Sequence, residues 1–203
     1  MSDFECQIKK YRDLLFQAGI LTQAAQAFSM RQGRTFYYLS DSGTLAYGDL
    51  GKNMGTSSPC PEWLDVHRSV YRKYRGIRIL IQSRLPYTLT AARAGQDVPP
   101  LLDDFAQLVG VTARVVLGNP KEKGFPLQVV NGLKRRNAVL IPPWGGLCAA
   151  GTFDDTLAVA QVLEKGCQAL VDTAFLGGGH RINLMESWLM RLVYRYKYSR
   201  KAG

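Results

Sequence analysis

Residues 137–164 read NAVLIPPWGGLCAAGTFDDTLAVAQVLE: a strand, a tight turn, a second strand and a capped helix in one run. Ala138 to Ile141 are apolar without alternation, the pattern of a strand covered on both faces. Pro142 and Pro143 cannot extend that ladder, because proline has no amide hydrogen to donate. Gly146 to Ala150 read as the returning strand. Thr152 and Asp155 stand at the spacing of a T-x-x-D capping signal, which marks a helix start. Val159, Leu163, Cys167, Leu170 and Ala174 follow at 3/4 spacing and give that helix an apolar face. Gly177, Gly178 and Gly179 stop it.

Working outward, the same α/β alternation covers the chain. A first helix runs to about Gln17, capped by Ser2 or Asp3, with Ile8, Tyr11, Leu14 and Leu15 on one side. Residues 27–31 and 35–40 are rich in β-formers and flank Gln32-Gly33-Arg34, the pattern of a hairpin. Leu45-Ala46-Tyr47 suggest a short strand, and residues 51–61 a loop. A helix is expected over 61–74, opened by Pro61, with Trp63, Val66, Val70 and Tyr74 inward. Ile77 to Gln82 reads as a buried strand, 86–94 and 101–109 as short helices, and Ala113 to Leu117 as another strand. A helix weakened by Gly132 precedes the quoted segment, and Asn183 with Glu186 opens a last helix. With no repeat and no linker, residues 1–203 read as a single α/β domain.

The 203 residues are 46% apolar and 21% charged, ordinary for a globular protein, and the net charge of +10 favours acidic partners. Cys6, Cys60, Cys148 and Cys167 form no CxxC pair, so a structural zinc or redox motif is not expected. Cys148 and Cys167 sit in apolar runs and read as small hydrophobes. MSDFECQIKKYRD lacks the apolar core of a signal peptide, and no apolar run reaches the roughly 20 residues of a membrane span. These features set the expectation of a cytoplasmic protein with no membrane partner.

Several segments, in order, carry a resemblance. FSMR at 28–31 and YLSDSG at 38–43 resemble the N-x-S-x-R and L-I-T-P-S-G elements of the class II aldolase/adducin N-terminal family. His67-x3-Tyr71 resembles that family's helix before its metal strand. VPPLLDDFAQLVG at 98–110 resembles a linking segment common there. NAVLI, Gly145 and TFDDTLAVAQVLE are similar to its N-A-V-L-L-x-x-H-G and the T-L-E-E-A helix beyond. The family includes L-fuculose-phosphate and rhamnulose-phosphate aldolases and ribulose-phosphate 4-epimerase. The resemblance implies a three-layer α/β/α sandwich around a mixed, mostly antiparallel sheet, assembled as a homotetramer. In active members it implies a zinc ion on three histidines polarising the carbonyl of a sugar phosphate.

Residue by residue, that machinery does not carry over. The H-x-H of the metal strand falls on Gln82 and Arg84, and the third histidine on Trp144. Glutamine offers only a neutral oxygen, arginine has a fixed charge and no lone pair, and indole only donates. The chain holds only two histidines, His67 and His180, so no metal site and no zinc cofactor are expected. The family's catalytic glutamate position carries Trp63, with Glu62 adjacent and within reach if the helix start shifts by one residue. Of the phosphate pocket, Ser42 and Gly43 fit. Gln26-Ala27 replace a Gly-Asn and Cys60-Pro61 replace a serine pair, with Thr56, Ser57 and Ser58 just upstream.

Arg84 therefore has two readings: a bidentate clamp on a phosphate or carboxylate, or the partner of Glu62 or Asp65. Trp144 reads as packing in the vacated pocket or as a stacking platform. His67 reads as a structural helix residue and His180 as loop surface. The terminal YRYKYSRK, 194–201, interleaves aromatic and basic residues, which suits a solvated helix face, a subunit contact or nucleic acid. The leading expectation is a metal-free class II aldolase-like protein that binds a small anionic metabolite at Arg84, Gln82, Ser42, Gly43 and Trp144, or serves as a structural or regulatory subunit. The alternatives are a zinc-independent lyase or epimerase using Glu62 as base, and a nucleic-acid binder.

Overall fold

The computed structural model describes residues 3–21, 27–40, 43–51 and 62–197. In chain order the elements are α1 (Asp3–Gln17), β1 (Phe28–Gln32), β2 (Thr35–Leu39), β3 (Leu45–Asp49), α2 (Trp63–Lys73), β4 (Ile79–Ser83) and α3 (Pro86–Arg93). They continue with α4 (Asp103–Leu108), β5 (Arg114–Val115), α5 (Phe125–Gly132), β6 (Ala138–Ile141), β7 (Gly145–Ala150), α6 (Phe153–Ala174) and α7 (Leu184–Lys197). The strands form one sheet in the order β3-β2-β1-β4-β7-β6-β5. Every pairing is antiparallel except the β5–β6 edge. The expected mixed, mostly antiparallel sheet is the observed one.

Strand alternation makes the layers. All five residues of β4 are buried, and successive side chains point to opposite faces. Ile79 and Ile81 join Ile8 and Leu15 of α1, Ala91 of α3, Phe105 of α4 and Val159 and Leu163 of α6 in one core. Leu80 joins Val66, Val70 and Tyr71 of α2 and Phe125 and Val129 of α5 in the other. Continuous apolar runs such as NAVLI follow from this arrangement, since a central strand meets helices on both sides. Cys148 and Cys167 are buried in the first core. Burial pushes both thiols up, Cys167 to about 12, so they pack as hydrophobes.

Caps fix the helix starts. Thr152 Oγ1 accepts from the Asp155 amide at 3.1 Å and donates to Asp155 Oδ2 at 2.7 Å, as the T-x-x-D spacing predicts. The start of α3 has no cap of its own. Glu164, on α6, accepts from the amides of Tyr87 at 3.0 Å and Thr88 at 2.7 Å, and from Thr88 Oγ1 at 2.7 Å. This carboxylate ties two helices of one layer together and places a negative charge at a helix N-terminus.

Some boundaries differ from the sequence reading. The strand expected over 113–117 narrows to Arg114–Val115. It is an edge strand paired only with β6, and Leu117 already lies out in solvent. Residues 45–47 extend to a five-residue strand because β2 offers a full-length partner. The expected caps and turns at Ser2, Asp41-Ser42 and Pro61 lie outside the described residues. Among the described residues no helix is long and apolar enough to cross a membrane.

The β6–β7 turn depends on one glycine. Trp144 N donates to Ile141 O at 2.8 Å, which closes the turn, and Gly145 then takes φ +91°. A Cβ there would sit 2.3 Å from the Ser83 carbonyl oxygen of β4. Both the backbone conformation and the close approach require glycine. Gly145→Ala is expected to lower stability by about 2 kcal/mol or more. Urea unfolding of the two proteins measures this, and an unchanged midpoint would contradict the constraint.

Candidate functional site

The site region begins with how α2 is fastened to the sheet. Ser29 Oγ on β1 lies 2.8 Å from His67 Nδ1 and 2.8 Å from Tyr71 Oη, both on α2. Tyr71 Oη also donates to Ser29 O at 2.9 Å. One arrangement uses each proton once: His67 Nδ1–H donates to Ser29 Oγ, Ser29 donates to Tyr71 Oη, and Tyr71 donates to the Ser29 carbonyl. Arg31 adds two bonds at 2.9 Å, to Tyr71 O and to Gly33 O. The S-x-R and H-x3-Y spacings noted in the sequence are therefore two halves of one buried junction.

In that arrangement His67 Nε2 is left as a bare acceptor, buried and without a hydrogen-bond partner. Burial holds the imidazole pKa down to about 3, so the ring is neutral. His67 is thus the structural helix residue the sequence suggested, and the exposed His180 is loop surface.

Gln82 and Trp144 are brought together. The buried Gln82 amide donates from Nε2 to Trp144 O and accepts at Oε1 from Ala27 N, both at 3.4 Å. Its backbone N–H donates to Ala27 O at 2.8 Å. Both ends of the side chain are thus engaged in holding the turn before β7 and the approach to β1. The Trp144 ring packs edge-on against Phe125 at 5.7 Å between centroids, interplanar angle 85°. Of its two sequence readings, packing is what these contacts describe.

Arg84 follows β4 and is partly buried. The carboxylates proposed to pair with it are engaged elsewhere. Glu62 lies 3.6 Å from Lys121 and Asp65 lies 3.0 Å from Arg68. Arg84 has no hydrogen-bond or ion-pair partner among the described residues. The reading in which it fills the site by pairing with Glu62 or Asp65 is overturned. Those residues are drawn to cations on their own side of α2.

Glu62 stands at the N-cap of α2 but makes no cap hydrogen bond. It lines a groove of about 790 Å³ between α2 and α5, together with Arg68, Arg72, Lys121 and Lys123. Gly43 has φ +76° and donates to Ser40 O at 2.8 Å. Ser42 lies outside the described residues, as do Gln26, Cys60, Pro61 and the Thr56-Ser57-Ser58 stretch.

Two groups escaped the sequence reading. Arg12 of α1 sits beside Gly43, its Nη1 3.6 Å from where a Cβ on that glycine would stand. Arg68, buried on α2, has Nε and Nη2 without partners. Charge at helical spacing looks alike whether solvated or buried, so only the packing reveals either one.

Comparison with known proteins supplies the family. The family model described as Class II Aldolase and Adducin N-terminal domain matches residues 14–171. No curated protein sequence matches the chain. Among solved structures, an L-fuculose 1-phosphate aldolase superposes with TM-score 0.84 at 16% identity, over 96% of this chain and 97% of that one. YgbL from Escherichia coli gives 0.75 at 13%, over 93% and 97%. The L-fuculose-1-phosphate aldolase from Thermus thermophilus gives 0.69 at 18%, over 88% and 98%. At these identities the likeness shows a shared fold.

The neutral, buried His67 makes stability depend on pH. Its folded pKa of about 3 lies below the ordinary value near 6.5. The unfolded chain therefore takes up a proton between those limits while the folded one does not. The contribution is full above pH 6.5 and is lost as pH falls, by about 1.4 kcal/mol per unit for one proton. Urea unfolding between pH 7.5 and 5 is expected to show that slope, and His67→Gln to flatten it. A parallel decline in the variant would assign the slope to other groups.

Proposed function

We propose that this chain, which belongs to the Class II Aldolase and Adducin N-terminal domain family, is a metal-free member that binds a small anionic ligand of the sugar-phosphate class through Arg84. The observation that carries this reading is a partly buried guanidinium with no partner among the described residues, while the carboxylates expected to pair with it, Glu62 and Asp65, serve Lys121 and Arg68. An unpaired guanidinium presents a planar fork of donors to phosphate or carboxylate. Gln82 and Trp144 frame the site, and Gly43 belongs to the same proposal as small-residue backbone of the kind that approaches a phosphate closely; Ser42 is proposed from the sequence alone. The printed names of structural neighbours, L-fuculose 1-phosphate aldolases, support a phosphorylated sugar as the ligand class.

The donor set at the family's metal positions does not fit a zinc ion. Gln82 has both ends of its amide in hydrogen bonds. Trp144 offers only an N–H, and Arg84 would repel a dication. Arg84 holds the anion, and the adjoining turn, pinned by Gln82 and Gly145, lies against the Arg84 backbone. A structural or regulatory role within a homo-oligomer, a tetramer by family resemblance, and a cytoplasmic location belong to the same proposal. The contrasting reading is a lyase or epimerase with Glu62 as base. Its carboxylate lies 3.6 Å from Lys121 across the α2–α5 groove.

Calorimetric titration with inorganic phosphate and with a ketose 1-phosphate tests the proposal. Arg84→Ala is expected to weaken binding at least tenfold, and Arg84→Lys to retain part of it, since an ammonium keeps charge but not the bidentate fork. Unchanged affinity in Arg84→Ala removes the binder reading. Stoichiometric zinc on the purified protein together with aldol cleavage would replace it with the enzyme reading, and Glu62→Gln would then abolish turnover.

A further inference from the structure

Two basic stretches far apart in sequence, Lys73-Tyr74-Arg75 and Arg135-Arg136, are brought together by the fold. They bound a cavity of about 840 Å³ at the end of the sheet where β4 begins and β7 ends. Arg78 lines it too. Asp155 is the one carboxylate in that lining, and its Oδ2 already accepts from the Thr152 hydroxyl at 2.7 Å. None of the five cations is in an ion pair among the described residues. Arg136 donates from Nε to Thr112 O at 3.0 Å and from Nη1 to Lys134 O at 2.8 Å, both uncharged acceptors. Arg114 and Asp97 act on it with opposite signs, and neither lines the cavity. Arg78 precedes β4 and Arg84 follows it, so roughly 20 Å of extended chain separates this cavity from the site above.

Like charge gathered without a counter-charge disfavours the compact state. A second cost falls at the same place. After α5 the chain reverses at Arg135, which takes φ +62° and is the one non-glycine residue at positive φ among the described residues. Arg136 N closes that turn on Leu133 O at 2.9 Å. Such a position beyond a helix end suits glycine or asparagine, because a Cβ is strained there. Arginine at this position lowers stability and supplies a guanidinium to the cavity.

The lining also states what kind of anion fits. A single phosphate monoester carries at most about two negative charges, which leaves most of this field unmatched, whereas a chain of phosphates matches it. Tyr74 and the half-buried Tyr194 of α7 line the same cavity. Tyr74 is tied by its hydroxyl to Val130 O at 2.9 Å. A tyrosine ring beside cations suits a nucleobase, since every base has a face that stacks. The volume lies within the roughly 300–1,000 Å³ of small-ligand sites.

We propose that this cavity binds a nucleoside polyphosphate, its phosphates on Arg75, Arg78, Arg135 and Arg136 and its base at Tyr194. It is a second ligand site, at the opposite end of β4 from Arg84, and it does not depend on what Arg84 binds.

The test is calorimetric titration of the full chain in magnesium-free buffer with ATP, AMP, inorganic tripolyphosphate and a short single-stranded RNA. ATP is expected to bind more tightly than AMP or tripolyphosphate. Arg78→Ala with Arg135→Gly is expected to weaken ATP by about tenfold or more, since two charge-assisted contacts are lost. Arg135→Gly alone is expected to raise the urea midpoint while weakening ATP, a combination that loss of folding cannot produce. Arg84→Ala is expected to leave ATP affinity unchanged, and the double variant to leave ketose 1-phosphate affinity unchanged, so the two sites stand or fall separately. No ATP binding by the parent chain, or equal ATP affinity in the double variant, overturns the proposal. Tripolyphosphate binding as tightly as ATP overturns the nucleoside assignment. RNA binding more tightly than ATP, with affinity falling steeply in salt, assigns the cavity to nucleic acid and overturns it as well.

Discussion

The hydroxyl of Ser29 holds the architecture of the site together. It sits fully buried between the sheet and α2 and meets both His67 and Tyr71. A buried hydroxyl, imidazole and phenol are each costly to desolvate unless their protons and lone pairs are matched. Here the matching fixes more than stability. His67 and Tyr71 are four residues apart, hence on one face of α2, and one serine can meet both only with the helix at one rotation and one height. Arg31, bonded to the Tyr71 carbonyl, sets the far end. The start of α2, with Glu62 and Asp65, is thereby placed relative to β1, and β1 is paired to β4, which leads to Gln82 and Arg84. The apolar core beneath α2 tolerates small rotations, whereas this junction does not.

The same junction explains which parts of the family pattern can change without harm to the fold. The side chains of Ser29, His67 and Tyr71 meet one another, so a substitution at one strands the others. Gln82, Arg84 and Trp144 are different. The Gln82 amide meets backbone at Ala27 and Trp144, the Trp144 ring meets Phe125, and the strands hold together through main-chain bonds irrespective of the side chain. An amide, a cation and an indole can stand at such positions while the sheet remains. The amide becomes a brace, the indole becomes packing, and the cation is left with its charge uncompensated among the described residues.

Much of the fold was legible because central strands and amphipathic helices write strong patterns. NAVLI and the Thr152-Asp155 signal gave β6 and the start of α6 to within a residue or so, since burial on two faces and a side-chain cap are both local demands. Legibility failed at edges. The reduction of the 113–117 segment to two paired residues depends on what lies beside it, which no window of sequence contains. At the site, composition counts two histidines, His67 and His180, fewer than a three-imidazole set needs. It could not say where the carboxylates would go. Glu62 and Asp65 find Lys121 and Arg68, and Lys121 is remote in sequence from Glu62. Arg12 beside Gly43 was equally hidden, as its place follows from how α1 packs and not from its neighbours in the chain.

Gly145 shows why recognition and function separate in this protein. Its positive φ and its contact with the Ser83 carbonyl are demands of the β4–β7 approach. They hold whatever residue stands at 144, because they concern the backbone alone. The preceding side chain is under no such demand and only has to fit against Phe125. A glycine of this kind marks the fold strongly while carrying no chemistry, and the residue beside it marks the fold weakly. Architecture can thus be read with force from a chain whose ligand must be argued from one unpaired guanidinium. The shape of this turn follows the backbone at Gly145.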